Sequence, residues 1–176
     1  MLTKLPHWNA AFQAFLLDAA RKSRPGVPVE EAMTFNWDPH SAGLNCVGFT
    51  AAGVETQLGF NFYKVTCGDA KYDSPLGALR LIRKMGGDTL DGVFGQYFQE
   101  RELAFMQIGD IGMVESTEPS SLEVGQNLAC GLISAPYIYC IQPNGLEKFP
   151  LDKVVKAFIP ESWNGPTEAN ATKGAV

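Results

Sequence analysis

The chain has 176 residues, 45% of them hydrophobic and 19% charged, and carries a formal net charge of -5. That size and mix suit one globular core, and the acidic balance lacks the basic footprint that a phosphate backbone requires, so no nucleic-acid partner is expected. No run approaches the roughly 18 apolar residues of a membrane span, and Pro6, His7, Asn9 and Gln13 interrupt the N-terminal stretch where a secretion signal keeps an unbroken apolar centre, so synthesis in a cytoplasm is expected.

Trp8, Phe12, Phe15, Leu16 and Ala19 recur at helical spacing opposite Gln13, Asp18, Arg21 and Lys22, which predicts an amphipathic helix over 8–22, ended by the breaker SRPGVP. An aromatic run at Phe35 and Trp37 then leads through a Pro/His/Ser/Gly loop into NCVGFTAAGVETQLG. Asn45 suits a helix cap, Cys46 the first turn and Gly59 the stop, while the small residues Gly48, Ala51, Ala52 and Gly53 predict a closely packed helix. DSPLGALRLIRKMGG predicts a further helix with Ser74 as cap and Pro75 at its first position, and DTLDGVFGQYF a short one capped by Asp88.

From about residue 103 the period changes. LAFMQIGDIGMVES, NLACGLIS, YIYCIQ, LEKFPL and VVKAFIP are short apolar or alternating runs between turn signals, as expected for a meander of antiparallel strands. The aromatic groups Tyr97, Phe98 and Phe105, and the pair Tyr137 and Tyr139, are expected in the core or at an interface. Residues 161–176 are largely polar, carry Gly and Pro, and are low in bulky apolar side chains beyond Trp163; they are expected to form a flexible or partner-docking tail on a single domain spanning 1–160. Helices first and strands afterwards is an α+β order. Cys67, Cys130 and Cys140 read as free, mostly buried thiols; with no CxxC pair and no calcium-loop spacing among Asp69, Asp73, Asp88 and Asp91, neither a metal nor a cofactor is expected.

Residues 35–49, an aromatic-x-Trp followed by the loop and Asn45-Cys46-Val47-Gly48-Phe49, resemble the aromatic-x-Trp-Gly-Gly and Asp-Cys-Ser-Gly-Phe signature of the NlpC-type papain-like cell-wall peptidases. Gly109-Asp110-Ile111-Gly112-Met113-Val114 is similar to that family's Gly-Asp strand entry, and Ala129-Cys130-Gly131-Leu132-Ile133 falls where the family writes His-Val-Gly-Ile-Tyr. Residues 8–159 as a whole resemble a phage-encoded branch of that clan found among tail genes.

The resemblance implies a papain-like fold, with N-terminal helices packed on a C-terminal antiparallel sheet. It makes Cys46 the nucleophile at a helix N-terminus, with Trp37 and Asn45 at the cleft. It also implies a histidine facing that thiol, and Ala129 stands at its position. Asp38-Pro39 replaces Gly-Gly, Asn45 the Asp before the cysteine, and Val47 the Ser after it. No histidine follows His40, so His40, six residues before Cys46, and His7 are the only imidazoles left to serve as a base.

The expected function is therefore a structural or assembly component of a tailed-phage tail tip built on a catalytically degenerate peptidase-like domain. It would be made in the host cytoplasm and incorporated in the virion tail, with hub or distal tail proteins as partners and peptidoglycan as a further candidate. The alternative is an active thiol peptidase or amidase acting on peptidoglycan stem peptides or on a tail protein, with Cys46 as nucleophile and His40 or a partner chain as base. A third reading keeps the cleft for binding alone. An enzyme needs a depressed thiol pKa and an open cleft beside Cys46, whereas a scaffold is free to fill the cleft with Leu44, Leu128 or Leu132.

Overall fold

The computed structural model describes residues 1–28, 31–33, 35–38 and 45–166. Its first helix, α1 (Trp8–Lys22), buries Phe12, Leu16 and Ala19 on the predicted face. It packs on α2 (Cys46–Leu58), where Asn45 Oδ1 accepts from the Gly48 N–H at 2.9 Å and Gly59 stops the helix in the left-handed conformation at φ 80°. A short helix that the sequence did not announce, α3 (Phe62–Cys67), follows at once, capped by Asn61. In α4 (Pro75–Lys84), Ser74 caps and Pro75 opens the helix as expected. The cap of α5 (Leu90–Tyr97) is Thr89 rather than Asp88: its Oγ1 accepts from the Gly92 N–H at 3.3 Å, so the helix starts one residue later than predicted.

The strands are β1 (Gln99–Arg101), β2 (Ile111–Glu115), β3 (Leu128–Ser134), β4 (Tyr137–Gln142), β5 (Gly145–Pro150) and β6 (Lys156–Ile159), with a one-turn helix, α6 (Pro119–Glu123), between β2 and β3. Every pairing is antiparallel and the order is β1-β6-β2-β3-β4-β5. The predicted meander covers β2 to β5; β6 then crosses back to the free edge of β2, pairing Ile111 with Phe158. The architecture is thus α+β, helices followed by a six-stranded antiparallel sheet. The 103–105 stretch is a single 3-10 turn and not strand, which leaves Phe105 64% exposed and apart from Tyr97 and Phe98.

Alternation along the strands sorts side chains into two dry layers. Ile111, Met113, Cys130, Leu132, Ile141 and Phe158 face the helices. Val114, Ala129, Ile133, Ile138, Cys140 and Ala157 form a second core on the other face, closed by Met106, Phe149 and Leu151. Burial on both faces explains why β3 reads as an almost unbroken apolar run rather than an alternating one. Helix α2 approaches β3 closely because Gly53 has no side chain; a Cβ there would run into Leu132. Tyr137 is exposed on β4, with Lys148 Nζ 5.3 Å from its ring centroid, and Tyr139 is half-buried.

The boundary expected at residue 160 comes too early. Residues 161–166 pack on the domain: Trp163 is 6% exposed, stacks on Tyr97 at 5.1 Å and meets Phe98 at 5.0 Å, and Asn164 N–H donates to the Tyr97 carbonyl. The remainder of the expected tail, 167–176, lies outside the described residues.

Candidate functional site

Asn45 is 2% exposed and ties two pieces of the first sequence box together. While its Oδ1 caps α2, its Nδ2 donates to the Trp37 carbonyl at 3.1 Å, fixing the aromatic strip beside the helix start. Trp37 and Cys46 consequently border one cleft, with Asn45 behind them as a support. His40 and Leu44, both named from the sequence, lie outside the described residues.

Cys46 faces Cys130 on β3, not Ala129. Strand alternation turns Ala129 into the second core, so the position expected to carry the histidine points to the wrong side of the sheet and the residue opposite the thiol is another cysteine. The Cys130 thiol donates to Cys46, and backbone N–H groups of Cys130, Val47 and Cys46 itself add to it. Together they hold the Cys46 thiol below its ordinary pKa against the opposing effect of burial. Cys130 is pushed well above its ordinary value, first by burial and then by the neighbouring sulfur, and it accepts a hydrogen bond from Thr50 Oγ1 at 3.4 Å. Cys140 lies behind it, donating to the Cys130 carbonyl at 3.3 Å.

A proton donor therefore stands where a thiol enzyme keeps its proton acceptor. The other titratable groups lining the cleft do not replace it. Burial raises the phenols of Tyr63 and Tyr72 and pushes the Cys67 thiol up to about 11, so each is protonated at neutral pH. Among the described residues the one histidine is His7, exposed ahead of α1 and not part of the cleft wall. The same residues hold no cluster of His, Cys, Asp and Glu able to bind a metal ion.

The cleft itself is open, with about 840 Å³ of empty space that runs out to solvent. It extends from Cys46 and Trp37 between α3, α4 and α5, with Tyr72, Met85, Leu90 and Phe94 among its walls. Leu128 forms part of the wall without closing it, and Leu132 is wholly buried beneath Gly53. Among the described residues, none that lines it is charged. The role of Cys130 was within reach of the sequence, since period-two reading of ACGLI groups residue 130 with Leu132 on the helix side. The aromatic wall was not, because α3 and the Tyr72 loop are joined to Cys46 only by tertiary packing.

The Gly109-Asp110 box turns out to serve the fold. Gly109 sits at φ 93°, where a side chain would strike Gln57, and Gln57 Nε2 donates to its carbonyl at 3.0 Å. Asp110, 1% exposed, accepts from the Gln107 N–H at 2.8 Å and pairs with Arg101 Nε at 2.6 Å.

The coupling of the two sulfurs makes a direct prediction. In Cys130→Ala the midpoint for alkylation of Cys46, followed against pH by peptide mass spectrometry, should move upward and alkylation at pH 7 should slow. Loss of the S–H donor destabilises the thiolate. An unmoved midpoint would assign the depression to the helix start alone.

No curated protein matches this sequence. A family model does match it, over residues 3–159, which takes in α1 to β6, the Cys46 box and the cleft. The chain belongs to the family described as a domain of unknown function, DUF6950.

Proposed function

We propose that the protein is a structural or assembly component of a phage tail tip, built on a papain-like frame that has lost its acid–base chemistry. The observation that carries the second half of this reading is the facing of Cys46 by Cys130, a thiol donor, in a cleft where burial keeps Tyr63, Tyr72 and Cys67 protonated at neutral pH. Amide hydrolysis needs a group that takes the thiol proton and returns it to the leaving nitrogen, and loss of such a base costs about 10² to 10⁴ in rate. The tail assignment, with hub or distal tail proteins as partners and a route from host cytoplasm to virion, is supported by the likeness of the three sequence boxes to the phage branch of the NlpC-type clan.

The test is a phage carrying Cys46→Ala. Particles should assemble and infect normally, with the domain's stability changed by about 1 kcal/mol. Normal assembly followed by failed genome delivery would overturn the proposal.

One observation favours a second reading, an active thiol hydrolase: Cys46 is held below its ordinary pKa in the wall of an open cleft. Against a peptidoglycan stem peptide stands the absence, among the described residues of that wall, of a cation to receive the substrate's carboxylates. Release of new amines from peptidoglycan fragments by the native protein, abolished in Cys46→Ala, would establish the hydrolase; binding of the fragments without release would leave a recognition domain.

A further inference from the structure

We propose that Cys46 accepts an acyl chain of medium or long length from an acyl thioester, and that the apolar cleft beside it holds the chain. The proposal does not depend on the tail-tip reading.

The walls of the cleft define what can enter. With no charged residue among the described residues of its lining, it offers no counter-charge to a phosphate, a carboxylate or an ammonium group. A peptide in extended form brings an N–H and a C=O at every residue, and each needs a partner once it leaves water. The wall is mostly hydrocarbon and aromatic ring, with polar atoms confined to a few side chains such as Thr66, Ser121 and Gln126. A hydrocarbon chain makes no such demand. One residue of the wall carries an unmet group as well: Thr66 Oγ1, shut off from solvent, has no hydrogen-bond partner among the described residues.

The chemistry fits a site with no base among its described residues. An amide expels an amine and needs a proton delivered to it. A thioester expels a thiolate, which is stable in water near neutral pH and needs no acid. Cys46 Sγ, as thiolate, attacks the thioester carbonyl carbon; the bond from that carbon to the carrier sulfur breaks, and the carrier leaves as its own thiolate. One thioester replaces another, no electrons are transferred to an oxidant or reductant, and the proton count is unchanged. The N–H groups in the first turn of α2 lie beside the reacting centre, although that of Gly48 is already taken by Asn45. Among the described residues no group lining the cleft is a base that activates water, so the acyl-cysteine is expected to persist.

The experiment incubates the purified full chain with myristoyl-CoA or acetyl-CoA at equal concentration near neutral pH, and follows each cysteine by peptide mass spectrometry. Myristoyl transfer to Cys46 is expected, reversed by neutral hydroxylamine and faster than acetyl transfer by about tenfold or more, since every methylene that enters the cleft adds to binding. Ala78→Trp, which fills the cleft from α4, should bring the myristoyl rate down to the acetyl rate while iodoacetamide still alkylates Cys46. Should that variant fail to fold, the chain-length comparison on the native protein decides alone. Equal rates for the two donors, labelling of Cys67 as fast as Cys46, or no acyl group on Cys46 would each overturn the proposal.

Discussion

Replacing Arg101 by alanine is expected to lower the unfolding free energy by about 3 to 5 kcal/mol at pH 7, as breaking one partner of a buried ion pair does, and by much less near pH 4. Asp110 is 1% exposed and Arg101 Nε lies 2.6 Å from its carboxylate, yet the Nε–H lacks the alignment of a directed hydrogen bond, so the contact is chiefly ionic. Burial dominates the carboxyl: its pKa is raised, in spite of the Gln107 N–H and the Arg101 charge. An acid whose folded pKa is raised binds more protons folded than unfolded. Its contribution is fully present below the unfolded value of about 3.9 and is lost as pH rises through the folded value. Removing Arg101 takes away an attraction to the carboxylate, raises the folded pKa further and deepens that loss. Chemical denaturation of native and variant protein at pH 4, 5.5 and 7 should show a gap that widens with pH. A gap independent of pH would mean that Arg101 acts through the packing of its stem.

Asp110 also shows how a sequence motif can be found for one reason and retained for another. Gly109-Asp110 stood out as a strand entry shared with a peptidase family. In the structure both residues answer to the backbone: the glycine admits Gln57, and the carboxylate gathers the Gln107 amide and Arg101 from β1. Local signals carried most of the fold. The stop signal of α1, the cap and stop of α2 and the cap and first-position proline of α4 are chemical statements about unpaired N–H and C=O groups, and they hold wherever a helix begins or ends. Thr89 displaced Asp88 because both residue types suit a cap and only the surrounding packing chooses between them. Strand existence was legible and strand order was not, since the return of β6 to the edge of β2 depends on pairing over more than forty positions of chain. The site divides in the same way. Cys46, Asn45 and Trp37 announce themselves within one loop and one helix start, whereas the partner of the thiol and the walls of the cleft come from β3 and from α3 to α5.

Trp163→Ala is expected to cost about 3 to 5 kcal/mol, the range for truncating a large buried aromatic, although the residue belongs to a stretch whose composition reads as a polar tail. Its indole joins four rings, with centroid separations of 5.8 Å to Phe60, 6.1 Å to Phe62, 5.1 Å to Tyr97 and 5.0 Å to Phe98. Nε1 donates to the Pro166 carbonyl at 3.0 Å, so the ring is buried without leaving its polar atom unpaired. Around it the segment is tied to distant parts of the chain: Gln99 N–H donates to Ser162 Oγ at 2.6 Å, Leu2 N–H to the Glu161 carbonyl at 2.7 Å, and Lys4 pairs with Glu161 at 3.1 Å. Trp163 thus closes one wall of the cleft and locks the N-terminal strip and α5 to the end of β6. The urea midpoint should fall with the slope unchanged, Trp163→Phe should lose less than half as much, and a chain ending at residue 160 should lose at least as much as the alanine variant. A loss under about 1 kcal/mol, the scale of an ordinary surface change, would return the segment to the status of a tail and leave the aromatic cluster stable on Phe62, Phe94 and Phe98 alone.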